Sequence, residues 1–221
     1  MKSEVVRYSM GERICHWMAA ASYVYCLSTG LAFYSPYLFW LAVALGGGPT
    51  SRYWHPLLGV AFFLVQMWMH AIWSRDMRIT NADRAWMKEI RNYIENRDDR
   101  VPPAGRFNAG QKQFYWMMYW GAFGLLASGV LLWFPEWIPF RLAWLRPIVI
   151  VVHEISALLT IGAFMIHIYM GVFLVPSGLR GITIGRVPRA WAAAHHRLWL
   201  EEISQREVPL PTPTRPGAHA D

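Results

Sequence analysis

The chain has 221 residues, room for one ordinary domain or a handful of membrane spans. Hydrophobic residues make up 55% and charged residues 16%, against roughly 25% charged in soluble domains, and 13 Trp, 11 Phe and 10 Tyr suit lipid-facing and interfacial surfaces. This excludes disorder for most of the chain, two cysteines exclude a disulfide scaffold, and a net charge of +7 comes without the basic groove or zinc spacing of a nucleic-acid binder.

Four apolar stretches follow one another. The first runs from about Ile14 to Tyr34, with an apolar continuation Tyr37–Leu45 that ends at Gly46-Gly47-Gly48-Pro49. The second runs from about Tyr53 to Trp73, the third from about Gln113 to Phe134 and the fourth from about Pro147 to Val175. Each has about 20 residues or more, the length that crosses roughly 30 Å of hydrocarbon. The sequence therefore predicts an all-α membrane protein, a bundle of four transmembrane helices. No cleavable signal is expected, because the first span is too long and has no small-residue cleavage site.

Charge sets the expected orientation. Lys2, Arg7 and Arg13 precede the first span, nine Lys and Arg lie between Arg75 and Lys112, and six lie from Arg180 onward. The two other connections hold only Arg52, Arg141 and Arg146. By the positive-inside rule both termini and the middle loop of this multi-pass chain are cytoplasmic. Within the middle loop, Asp83–Asn96 reads as a short amphipathic helix. Residues 1–203 form the membrane domain, and 204–221, Pro-rich from Pro209, read as a disordered tail.

Histidine inside a membrane is costly without a partner, so intramembrane histidines are functional candidates. His195, His196 and His219 lie outside the spans and are expected to be solvated; His16, His55, His70, His153 and His167 remain. Fourteen residues of helix put His153 and His167 within about 40° of one face and about 21 Å apart, near opposite surfaces. His16 opens the first span at the level where His167 ends the fourth, and His55 opens the second level with His153. Two cross-helix pairs follow, His16 with His167 and His55 with His153. Paired histidines on facing helices suit a six-coordinate b-type haem. No Cys-x-x-Cys-His motif offers covalent attachment, and zinc wants more protein ligands. The plainer alternative is a set of scattered histidines bonded to backbone carbonyls. His70, 15 residues after His55 and within about 60° of its face, is an alternative to His16 that spacing does not exclude.

Arg13-Ile14-Cys15-His16-Trp17, His55-Pro56-Leu57-Leu58-Gly59 and Phe107-Asn108-Ala109-Gly110-Gln111-Lys112 form an ordered series of motifs. His153, Ile166-His167-Ile168-Tyr169-Met170, Gly181 to Gly185, Arg189-Ala190-Trp191 and His195-His196 extend it. Over roughly residues 7–203 the series resembles the cytochrome b gamma subunit of membrane-bound formate dehydrogenases. The Asn-Ala-Gly-Gln-Lys block is its most discriminating part, since hydrogenase and thiosulfate-reductase cytochromes share the four-helix, histidine-paired plan. The resemblance implies two b haems, the outer held by His55 and His153 and the inner by His16 and His167. It also implies a quinone site lined by Asn108, Gly110 and His167, taking menaquinone or ubiquinone. Its implied partners are an iron–sulfur subunit and a molybdenum- or tungsten-containing catalytic subunit. It allows a higher oligomer of the complex. No ligand role is implied for His70.

Asn108 can donate to a quinone carbonyl and Gly110 admits a ring, although both also fit an ordinary helix cap. Arg13 and Arg52 flank the inner and outer ligands as candidate propionate partners, or as snorkelling residues. Glycines 30, 59, 121, 124, 129 and 162 give either close helix packing or room for a flat macrocycle. Cys15 and Cys26 read as small buried apolar groups. No nucleotide loop, cysteine cluster or catalytic dyad is present, so no catalytic residue is assigned and formate oxidation is left to the partner. The rival readings are a cytochrome b subunit of a nickel–iron hydrogenase or a sulfur-compound reductase, and a haem-free membrane anchor or transporter.

Overall fold

A computed structural model describes residues 3–95, 97–175 and 177–207. A short strand, β1 (Glu4–Val6), precedes helix α1 (Met10–Tyr34). Ser9 starts α1 through a capping box: its hydroxyl accepts from the Glu12 N–H and the Glu12 carboxylate accepts from the Ser9 N–H. Ser35 is extended, as the residue before Pro36 must tend to be, and α1 stops there. The apolar continuation after it is not part of a span. It forms a 3-10 turn (Pro36–Leu38) and the five-residue helix α2 (Trp40–Ala44). Gly46 and Gly47, with φ of 96° and 92°, then turn the chain into α3 (Gly48–Trp73), which starts five residues before the expected Tyr53.

The middle loop carries two helices where one was expected. Thr80 and Asp83 form a capping box on α4 (Asn81–Lys88), whose last turn tightens as the Glu89 N–H donates to the Trp86 carbonyl. The chain restarts as α5 (Ile90–Ile94). Helix α6 (Ala109–Trp133) follows, then two 3-10 turns and α7 (Leu145–Ile168), which continues into a π-helical segment, Tyr169–Leu174. The chain closes with α8 (Gly178–Ile184), β2 (Arg186–Pro188), α9 (Arg189–His195) and α10 (Arg197–Glu207). Helix α10 runs through the expected domain edge at 203; of the expected disordered tail, residues 208–221 lie outside the described residues.

Helix α1 packs on α3, α3 on α6 and α6 on α7. Tyr23 of α1 and Phe164 of α7, ring centres 5.2 Å apart, close the bundle. The central core joins Tyr23, Phe62, Met118, Ala122 and Ala163, at least one residue from each long helix. Gly121 and Gly124 make the α6–α7 contact possible: a Cβ there would lie 2.3 Å from Thr160 Cγ2 and 2.6 Å from Ser156 Oγ.

Outward faces are apolar. Leu64, Leu158, Leu159, Met165 and Ile166 are each exposed by more than half, a surface that hydrocarbon accepts and water does not. Among the described residues three helices are long and apolar enough to cross a membrane: α3, α6 and α7 with its π-helical extension. Helix α1 matches them in length but carries Ser22, Ser28 and Thr29.

One end of the bundle is polar and built from distant segments. Strands β1 and β2 pair antiparallel, Val5 opposite Val187. Arg106, from the loop before α6, donates to Glu12 (2.6 Å) and Asp76 (2.8 Å), and Trp73 Nε1 donates to the same Glu12 oxygen. Arg7 lies buried over the Trp199 ring at 4.6 Å and donates to the Arg106 carbonyl. Contrary to the expectation of a solvated side chain, His196 is 1% exposed; its Nδ1 lies 2.8 Å from the Gly105 carbonyl and its Nε2 3.3 Å from Arg7. The tertiary docking of α9 and α10 on the middle loop buries it.

Candidate functional site

The four histidines come together as the two expected pairs. At the polar end, the His16 and His167 rings have centres 6.2 Å apart and planes inclined by 50°. At the other end, His55 and His153 lie 6.4 Å apart, inclined by 55°. A metal–imidazole bond is about 2.0–2.1 Å and the ring centre lies roughly 1.2 Å behind the nitrogen, so two coaxial imidazoles on one metal have centres about 6.4 Å apart. Both separations match that spacing. Among the described residues no three His, Cys, Asp or Glu side chains converge, so no conventional zinc cage is present.

The His55–His153 pair faces a cavity of about 1080 Å³. Gly59 lies one turn beyond His55 on the same face of α3 and lines this cavity, with no atom within 4 Å of where its Cβ would stand. Gly30 and Gly129 instead admit the imidazoles: their Cβ positions lie 3.5 Å from His55 Cε1 and 3.3 Å from His153 Cε1. The six glycines thus divide. Gly121 and Gly124 serve helix packing, Gly30, Gly59 and Gly129 serve the cavity and its histidines, and Gly162 faces open space. Pro56 lacks the N–H that would bond to the Arg52 carbonyl, which leaves the helix unbonded beside His55. Arg52 lines the same cavity.

Two hydroxyls that the sequence reading did not single out touch the histidines. Thr29 Oγ1 lies 2.7 Å from His55 Nδ1, and Ser128 Oγ lies 2.9 Å from His153 Nδ1. Each hydroxyl also has a carbonyl one turn back, Tyr25 at 2.8 Å and Gly124 at 2.6 Å. At the polar end, His167 stacks on Phe114 at 4.3 Å, and among the described residues the buried His16 Nδ1 has no hydrogen-bond partner.

His70 is occupied elsewhere. Its Nδ1 bonds to the Tyr115 hydroxyl and its ring stacks on Tyr119 at 4.5 Å. Of the two histidines that spacing left open, His16 is the one that lies beside His167.

Asn108 is the N-cap of α6. Its Oδ1 accepts from the Gln111 N–H (2.9 Å), and Gln111 Oε1 accepts from the Asn108 N–H (3.0 Å). Asn108 is 4% exposed, with Nδ2 reaching Tyr93 Oη at 3.4 Å. Gly110 lies under Trp86, whose ring carbon would stand 3.6 Å from a Cβ. No hydrogen bond joins Asn108 or Gly110 to His167 among the described residues. Arg13 donates to the Ile182 and Thr183 carbonyls and so caps the end of α8. Lys112, one turn beyond Asn108, donates to Asp83 at 2.7 Å in a buried ion pair. Burial would raise the Asp83 pKa, but hydrogen bonds from Lys112 and Thr80 hold it below the ordinary carboxylate value.

Comparison with known proteins agrees with the motif resemblance. The family model described as prokaryotic cytochrome b561 matches residues 7–181. The nitrate-inducible formate dehydrogenase cytochrome b556(Fdn) subunit of Escherichia coli K12 is 30% identical over 92% of this chain and 94% of its own length. The formate dehydrogenase cytochrome b556(fdo) subunit of the same strain is 32% identical over 91% of this chain and 94% of its own. A formate dehydrogenase cytochrome b556 subunit of Haemophilus influenzae is 30% identical over 90% and 84%. The chain therefore belongs to the prokaryotic cytochrome b561 family, alongside the cytochrome b556 subunits of formate dehydrogenases, as a membrane protein of cytochrome b type.

Proposed function

We propose that this chain is the cytochrome b subunit of a formate dehydrogenase complex. It carries electrons from an iron–sulfur partner on the outer side, through two b haems, to a quinone near the cytoplasmic side. The observation that carries the reading is the pair of opposed imidazole couples, 6.2 and 6.4 Å apart, at opposite ends of one bundle in a cytochrome b family. His55 and His153 would hold the outer haem, with Arg52 near its propionates; His16 and His167 would hold the inner one. Bound haem supplies one-electron redox chemistry that no side chain here has.

The remaining steps belong to the protein. The apolar layer of Tyr23, Phe62 and Ala163 separates the two histidine levels and keeps water from the path. The polar end, with the paired strands β1 and β2 and the basic middle loop, faces the cytoplasm, and α1 crosses the bilayer with the other three long helices. The quinone site lies at the start of α6, next to His167. Asn108 keeps its Oδ1 on the cap, so its Nδ2 is the donor left for a quinone carbonyl, and Trp86 over Gly110 must yield to a bound ring. Moving electrons inward against the membrane potential stores about 2.3 kcal/mol per charge per 100 mV. The iron–sulfur and molybdenum- or tungsten-containing partners provide formate oxidation, and the cell inner membrane is the location.

A pyridine-haemochrome assay with a reduced-minus-oxidised spectrum tests this. Two b haems per chain are expected in the wild type and one in His153→Ala. A folded wild-type protein without haem would favour a membrane anchor, and two haems in His153→Ala would refute the pairing.

A further inference from the structure

His55 and His153 differ from His16 in how their Nδ1 nitrogens are held. A hydroxyl has one proton. In Thr29 and Ser128 that proton has a backbone carbonyl at 2.8 and 2.6 Å, and a carbonyl can only accept. If the proton went to the imidazole instead, the hydroxyl and carbonyl oxygens would face each other at hydrogen-bond distance with nothing between them. The hydroxyl therefore donates to the carbonyl and accepts from the ring, so Nδ1 of His55 and of His153 carries the hydrogen. That leaves the lone pair on Nε2, the form a metal ligand needs. Thr29 is 0% exposed and Ser128 3%, so water does not compete. At the other end, among the described residues, the buried His16 Nδ1 has no partner at all.

We propose that Thr29 and Ser128 are positioning residues that fix the tautomer of His55 and His153 and hold the reduction potential of the group between them below that of the group between His16 and His167. An imidazole that donates a hydrogen bond through Nδ1 pushes more electron density through Nε2 and favours the oxidised metal. The asymmetry makes transfer from the His55–His153 level to the His16–His167 level downhill, and partly offsets the opposing membrane potential. This inference rests on the reading that each pair holds a haem.

The test is an optical redox titration of the full chain in membranes, for wild type, Thr29→Val and Thr29→Ser, with haem content measured on each. The Leu125 carbonyl also reaches the His153 ring, so Ser128→Ala leaves that imidazole a partner and Thr29→Val is the sharper variant. Wild type is expected to titrate in two steps. Thr29→Val, which keeps the shape and loses the hydroxyl, should raise the lower step by up to about 59 mV, a tenfold change for a one-electron couple, while Thr29→Ser leaves it in place. Loss of the lower-potential haem in Thr29→Val with retention in Thr29→Ser would support the same role. Unchanged steps in Thr29→Val with both haems present would overturn it, as would a shift confined to the higher step. A wild type without haem would instead refute the underlying reading.

Discussion

Two glycines separate packing from accommodation. Gly59 and Gly121 both lie inside long helices, but a Cβ at Gly59 meets nothing within 4 Å, whereas at Gly121 it meets Thr160 Cγ2 at 2.3 Å. Replacing Gly59 by Leu adds a good helix former where the protein leaves space, a gain of about 0.5–1 kcal/mol from propensity alone. Replacing Gly121 by Ala forces α6 from α7, at a cost of about 1–3 kcal/mol. If the cavity beside His55 holds a haem, the leucine side chain introduced by Gly59→Leu would occupy its volume, because residues four apart on a helix share a face. Thermal unfolding in detergent, with pyridine haemochrome on the same samples, reads both effects. Gly59→Leu should lose one of two haems while the haem-depleted protein unfolds no earlier than haem-depleted wild type. Gly121→Ala should unfold earlier. Two haems in Gly59→Leu would refute the argument that the space beside Gly59 is macrocycle room.

The polar end gives two more predictions. Burial, aided by the nearby Arg7 charge, holds the His196 pKa well below its ordinary value, so the neutral form is the docked one. Stability is then full above the unfolded-state pKa of about 6.5 and falls as pH drops toward the folded-state value, by up to about 1.4 kcal/mol per pH unit. Limited proteolysis of α9 and α10 should accelerate below about pH 6.5, and His196→Gln should remove that dependence; a pH-independent rate in wild type would contradict it. Asp83→Asn leaves the buried Lys112 ammonium without its counter-charge and should cost about 3 kcal/mol, read as earlier thermal unfolding, with Lys112→Met in the same background recovering most of it.

Periodicity and level-matching make the histidine pairs legible because both depend only on helix rise and span order. The same level-matching reaches Thr29 and Ser128: each stands near the end of one span, opposite a histidine near the start of the next. A single hydroxyl in an apolar helix, however, carries no pattern of its own that would single it out. The end of the first span at Tyr34 coincides with the end of α1, and the apolar run beyond it forms separate short elements because Ser35-Pro36 stops the helix. His196 is illegible for a different reason. Its burial depends on Gly105 and Arg7, which lie 91 and 189 positions away, and no local signal encodes such a contact. Asn108 carries two signals at once, a cap and a donor; the cap is present in the fold, and the donor role belongs to the proposed quinone site.

The pairing of β1 with β2 has a consequence for biogenesis. Val5 leaves the ribosome well before its partner Val187, which is synthesised after the last long helix. At about 5–20 residues per second the N-terminal strand waits on the order of 10–40 s for its mate. Until then Arg7 has neither Trp199 nor His196 to cover it. The strand pair can therefore close only on a chain whose spans have all been made, so its closure marks a completed bundle. A truncated or stalled product would expose an uncovered Arg7 and an unpaired strand edge, features a quality-control protease can recognise.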